Sequence, residues 1–202
     1  MKKYLIAVIA LFAVIAGMLL LANRPQKTMT PLVIPPAAET PAPIVLQKDG
    51  LSVAKFGDSP ETVIAAITKT LGAPTKDTGM TSSFSAYGTC PGNELRGVEW
   101  KNFYVLFGDT VFGTYKFFQY GYSSSDAKGL LASTLKTDKG VTVGMSLADA
   151  KKAYPNARVG VWLPGQDSIT FEERSANKRE YLGGTIVDGK LYWLGGGVLC
   201  GE

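Results

Sequence analysis

From residue 50 onward, the spacing of apolar positions changes period twice, each time in the same order. Val63, Ile64, Ile67 and Leu71 recur at helical spacing. Ser59 stands before them as an N-cap, Pro60 at the first helical position and Glu61 in the first turn, while Gly72 and Pro74 end the helix. Strand-like alternation follows over about 81–87, 95–100, 104–107 and 114–122, with Gly108-Asp109-Thr110 as the turn before the last of these. The order restarts near Gly140. Ser146 and Asp149 form a capping pair, Leu147, Ala150, Ala153 and Tyr154 make the inward stripe, and Pro155 stops it. Four more strands are predicted over 158–163, 168–173, 182–187 and 190–194, the last two joined by the type I′ hairpin signal Asp188-Gly189.

The two helix starts align: Gly57-x-Ser59-x-x-x-Val63 with Gly144-x-Ser146-x-x-x-Ala150. The expected fold class is therefore α+β, with two tandem units over 50–137 and 138–202, each a helix packed on a four-stranded antiparallel sheet. Ahead of them, Tyr4 to Ala22 carries no charge and, as a helix about 28 Å long, matches the hydrocarbon core. Lys2 and Lys3 before it favour a cytoplasmic N-terminus. Residues 1–23 read as a transmembrane signal anchor, with a cleaved signal peptide as the alternative; both place the remainder of the chain outside the cytoplasm, membrane-tethered or secreted. Residues 24–49 hold Pro25, Pro31, Pro35, Pro36, Pro41 and Pro43 and read as an extended spacer.

The string Gly144-Met145-Ser146-Leu147-Ala148-Asp149-Ala150 with Tyr154-Pro155 resembles the helix start of the SmpA/OmlA-type assembly lipoproteins and of the β-lactamase inhibitory protein family. Gly57 to Val63 with Leu71-Gly72-Ala73-Pro74 resembles the same start and its ending, apart from an extra helical turn. The chain is also similar to secreted actinobacterial proteins with one Cys in each unit. The resemblance implies the tandem helix-plus-four-strand fold and a binding scaffold. It implies no contact residues.

The charge changes the picture little. The chain has 21 basic and 17 acidic residues, and the excess lies in Lys2, Lys3, Arg24, Lys27 and Lys48, which leaves the folded part near neutral without the clustered cationic surface that nucleic acid requires. There is no His, which excludes a His-based triad and a His-ligated metal. Glu172-Glu173 are strand neighbours that point to opposite faces. Gly183-Gly184 and Gly195-Gly196-Gly197 lack the features of a phosphate loop and read as sites of close backbone approach. No catalytic, cofactor-binding or metal site is expected, and the chain is read as a non-enzyme. Cys90 and Cys200 are expected to form a disulfide in an oxidising compartment.

The aromatic residues are the informative part. On a regular strand, Lys116, Phe118, Tyr120 and Tyr122 share one face and Tyr115, Phe117 and Gln119 the other, so both faces carry rings. Tyr192 and Trp193 repeat the pattern on the last strand, and Trp100 and Trp162 add bulk. Either these faces pack together, or Lys116, Phe118, Tyr120, Tyr122, Tyr192 and Trp193 form an exposed face that holds a partner. The functional expectation is a membrane-anchored extracytoplasmic binding module for a protein or envelope component. A structural envelope-assembly factor is the alternative, and an envelope hydrolase a remote one.

Overall fold

The computed structural model describes residues 42–124, 131, 134–173 and 181–201. The expected anchor and most of the spacer lie outside the described residues, as do residues 174–180. Among the described residues no helix is long and apolar enough to cross a membrane.

Among the described residues the chain is mostly β, with two sheets and two helices. Three short strands, β1 (Val45–Gln47), β2 (Gly50–Leu51) and β3 (Ala54–Lys55), precede helix α1 (Pro60–Leu71). Then come β4 (Lys76–Asp77), β5 (Thr81–Ser85), β6 (Gly88–Trp100), β7 (Phe103–Thr110) and β8 (Gly113–Ser123). Strand β9 (Lys136–Thr137) and helix α2 (Leu147–Ala153) lead into β10 (Arg158–Leu163), β11 (Gln166–Glu173), β12 (Tyr181–Val187) and β13 (Lys190–Gly197).

The expected pair of separate helix-plus-four-strand units is not what forms. Strand β13 pairs antiparallel with β8, from Trp193 opposite Ser123 to Gly197 opposite Gln119. That ladder fuses the strands of both halves into one nine-stranded sheet, in the order β10-β11-β12-β13-β8-β7-β6-β4 with β5 added to β6. A second, four-stranded sheet, β3-β2-β1-β9, has no counterpart in the expected fold; in it β1 runs parallel to β9. It takes in residues 45–47, read from their neighbouring prolines as spacer, and makes Ile44, Leu46 and Leu51 core residues.

The physical reason is a shared core. Val63 and Ile67 of α1, Ala150 of α2, Leu46 and Leu51 of the small sheet, and Phe103, Tyr120, Ile169 and Leu194 of the large sheet belong to one buried cluster. One core surrounded by layers is one domain, whatever the periodicity of the strands that build it. The Tyr120 hydroxyl donates to the Gln47 carbonyl at 2.8 Å and ties the two sheets together.

Local signals place the elements well. Ser59 caps α1 by accepting from the Thr62 N–H, and Gly72, at φ 81°, follows its last residue. The Ser146 hydroxyl accepts from the Asp149 N–H and donates to its carboxylate at 2.7 Å. Asp188 and Gly189 take φ of 50° and 70°, the geometry of a type I′ turn. The turn expected at Gly108-Asp109-Thr110 falls later, since β7 runs through Thr110 and Val111-Phe112 make the turn.

Candidate functional site

The face of the large sheet away from the main core carries a second, smaller cluster of Cys90, Leu95, Leu106 and Phe118, with Tyr87 and Tyr104 packed against it. Beside it lies a cleft of about 420 Å³, within the range of small-molecule sites. Its floor follows from glycine placement. Gly183, Gly195 and Gly121 are paired in succession across β12, β13 and β8, and Gly121 faces Tyr104 on β7. A Cβ at Gly183 would collide with the Tyr181 ring, at Gly195 with Trp193 and at Gly121 with Tyr104. On β6, Gly97 is covered in the same way by Tyr87. Each ring occupies the space a neighbouring side chain would need. The four glycines span five adjacent strands, roughly 19 Å at the usual strand spacing.

Two of the rings pack on each other. Tyr87 and Tyr104 have centroids 5.2 Å apart with planes tilted by 40°, a favourable offset arrangement. The Tyr87 hydroxyl donates to the buried Glu99 carboxylate at 2.6 Å, and Lys76 stands 3.7 Å from the same carboxylate. Burial, then the hydrogen bond to Glu99, holds the Tyr87 phenol far above its ordinary pKa. Burial pushes Tyr104 up to about 12, partly offset by hydrogen bonds from Trp193 and Gln119.

The walls are polar and uncharged. Gln166, Ser168 and Thr185 come from β11 and β12, and Gln119 from β8. Leu199, Cys200 and Gly201 close one side. This C-terminal segment is fixed by the Cys90–Cys200 disulfide, which spans 110 residues. It is also held by paired backbone hydrogen bonds between Thr89 and Gly201 of 2.7 and 2.8 Å, and the Cys200 N–H donates to the Gln119 side-chain oxygen at 3.0 Å. Among the described residues no Lys, Arg, Asp or Glu lines the cleft. Among the described residues no group of three or more His, Cys, Asp or Glu is placed to hold a metal ion. Of the two neighbouring strand carboxylates, Glu172 pairs with Lys48 at 3.5 Å.

The structure divides the six residues read as a partner face. Phe118 and Tyr120 are fully buried and Tyr122 is 4% exposed, so these three are core and do not form a free platform. They do not even share a face. Phe107 opposes Phe117 and Leu106 opposes Gln119, which leaves Phe118 as the extra residue of a bulge. Tyr120 and Tyr122 face the main core beside Phe117, whereas Phe118 joins the opposite cluster. The backbone groups that the bulge frees are taken up elsewhere: Gly57 N–H donates to the Phe117 carbonyl and Phe117 N–H to the Asp58 carbonyl. Lys116 is half-buried opposite Gly108 and does not line the cleft. Tyr192, 44% exposed, and Trp193 do line it. Trp100 is core, with its indole N–H donating to the Gly72 carbonyl at 2.9 Å; the Trp162 side chain is outside the described residues.

Sequence reasoning missed Tyr87, Tyr104 and Tyr181. A usable signal was present in Tyr181-x-Gly183 and Trp193-x-Gly195, where a ring and a glycine two residues apart share one strand face. No family model, curated protein or solved structure matches the chain.

Proposed function

We propose that this protein is a binding module that works outside the cytoplasm on a component of the cell envelope, and that its ligand enters the cleft floored by Tyr87, Tyr104, Trp193 and Tyr181. The observation that carries this reading is that floor. Large rings are laid against glycine backbone, open on one side to a concave space of about 420 Å³, which suits recognition because aromatic rings bury much area with few rotors. The apolar leader and the Cys90–Cys200 disulfide support an oxidising location on the far side of a membrane. The reading is non-catalytic: among the described residues the lining includes no carboxylate, Lys or free thiol to act as general base or nucleophile.

Site-directed photo-cross-linking in the producing cells tests it. A photoreactive residue at Tyr192 should capture an envelope component, and one at Lys69, exposed on α1, should not. Equal labelling from both positions, or none from Tyr192, removes the cleft as the binding site.

A further inference from the structure

The chemistry of the cleft narrows the ligand class. Its floor offers ring faces, its rim offers the amide of Gln166 and the hydroxyls of Ser168 and Thr185, and none of the described residues that line it carries a formal charge. Among the described residues an anionic ligand such as a phosphate finds no Lys or Arg to meet it there. A quaternary ammonium ion is held by rings boxed around a point, whereas here each ring lies against a glycine of one sheet. An acyl chain would bury the amide and hydroxyl rim without hydrogen-bond partners, which is unfavourable.

A pyranose has the complementary form. Its two faces present C–H groups that pack on an aromatic ring, and its hydroxyls radiate from the perimeter, where side-chain amides and hydroxyls can donate and accept. We propose that the cleft binds a neutral saccharide, with one sugar ring stacked on Trp193 and the adjoining ring running toward Tyr181 or Tyr104. Gln166 and Thr185 bond the sugar hydroxyls, and Ser168, whose hydroxyl donates to the Gly160 carbonyl at 3.2 Å, accepts from one. Gln119 is already engaged with the Cys200 N–H and holds the wall in place. This inference rests on the cleft being the binding site proposed above, and it names what enters.

The test uses the full chain in a polyoxyethylene detergent, which carries no sugar. The probes are neutral oligomers of glucose and of N-acetylglucosamine, with adenosine, choline and a synthetic peptide of residues 29–43 as competing occupants. Tryptophan fluorescence and saturation-transfer NMR report binding. A neutral oligosaccharide should bind, Trp193→Phe should keep most of the affinity, and Trp193→Ala should lose about tenfold or more, or roughly 1.4 kcal/mol. Thr185→Val, a rim change that leaves the floor intact, should weaken binding severalfold with an unchanged melting temperature, which guards against misfolding of the Trp193 variants. The saccharide proposal is overturned if no neutral oligosaccharide binds, or if binding ignores both Trp193→Ala and Thr185→Val. Binding of adenosine, choline or the peptide instead, abolished by Trp193→Ala, overturns the saccharide while leaving the cleft as the site. Envelope capture through Tyr192 together with a silent sugar panel has the same meaning.

Discussion

Tyr104 and Gly121 stand directly opposite each other on neighbouring strands, and the Tyr104 ring fills the position where a Gly121 side chain would begin. Trp193 does the same to Gly195, two residues along its own strand. The lane of glycines therefore decides how the rings lie, and a single methyl group should disturb it. Gly195→Ala forces the indole off the sheet, an overpacking cost of about 1–3 kcal/mol. With the three tryptophans labelled as 5-fluorotryptophan, this variant should shift the Trp193 resonance strongly and lower the melting temperature. An unmoved resonance would mean the ring does not rest on Gly195.

Tyr120 is the clearest case of a residue that belongs to the core and not to a binding face. It is fully buried and bonds the Gln47 carbonyl across the two sheets. Tyr120→Phe should cost about 1 kcal/mol for the lost hydrogen bond, and Tyr120→Ala about 3–5 kcal/mol for the cavity. Urea unfolding measures both. A fully stable Tyr120→Ala variant would contradict the sheet-to-sheet packing.

The local elements were legible because they are written in short-range chemistry. Ser59-Pro60, Gly72-Pro74, Ser146-Asp149 and Asp188-Gly189 each act within a turn of chain, and each stands where the pattern put it. The architecture was not, because it depends on a long-range pairing. Nothing in residues 113–123 or 190–197 states that Leu194 will face Tyr122 and join the two halves into one sheet. The small sheet was hidden for a related reason. Its strands have two or three residues each, too few for a period to show, and the first follows a proline run. Which rings share a face was hidden by one residue. Alternation along 116–122 assumes an unbroken pleat, and the bulge at Phe118 exchanges the faces midway. The glycines that floor the cleft were legible as sites of close approach, but what approaches them comes partly from other strands, as Tyr104 does over Gly121.

The Cys90–Cys200 bridge should matter for stability and for the cleft in separable ways. It closes a separation of 110 residues, which in the chain-entropy model stabilises the fold by on the order of 4–5 kcal/mol. Paired Cys90→Ser and Cys200→Ser changes should lower the urea midpoint accordingly. They should also loosen Leu199–Gly201, the wall beside Gln119. Amide hydrogen exchange at positions 200 and 201, held in the native fold by Gln119 and Thr89, should then accelerate more than exchange in β7. Uniform acceleration across the sheet would show that the bridge stabilises the whole fold without shaping the cleft.

Alkaline pH should act on the same floor. Tyr104 is raised to about 12, chiefly by burial. Tyr87 and Tyr120 are also raised, chiefly by burial. In the unfolded chain a tyrosine ionises near pH 10. Between about 10 and 12 the unfolded state has therefore released a proton that the folded state still holds at Tyr104, and stability falls with rising pH. Below about 10 this contribution is fully present, and it is gone once pH passes the folded value. Phenolate absorbance at 295 nm should rise in at least two stages, with the later stage coinciding with loss of the folded circular-dichroism signal. Adding denaturant at pH 11 should merge the stages. A single wave near pH 10 in a protein that stays folded would mean that the tyrosines of the floor and core are open to water, and the packing that lays Tyr104 on Gly121 would have to be abandoned.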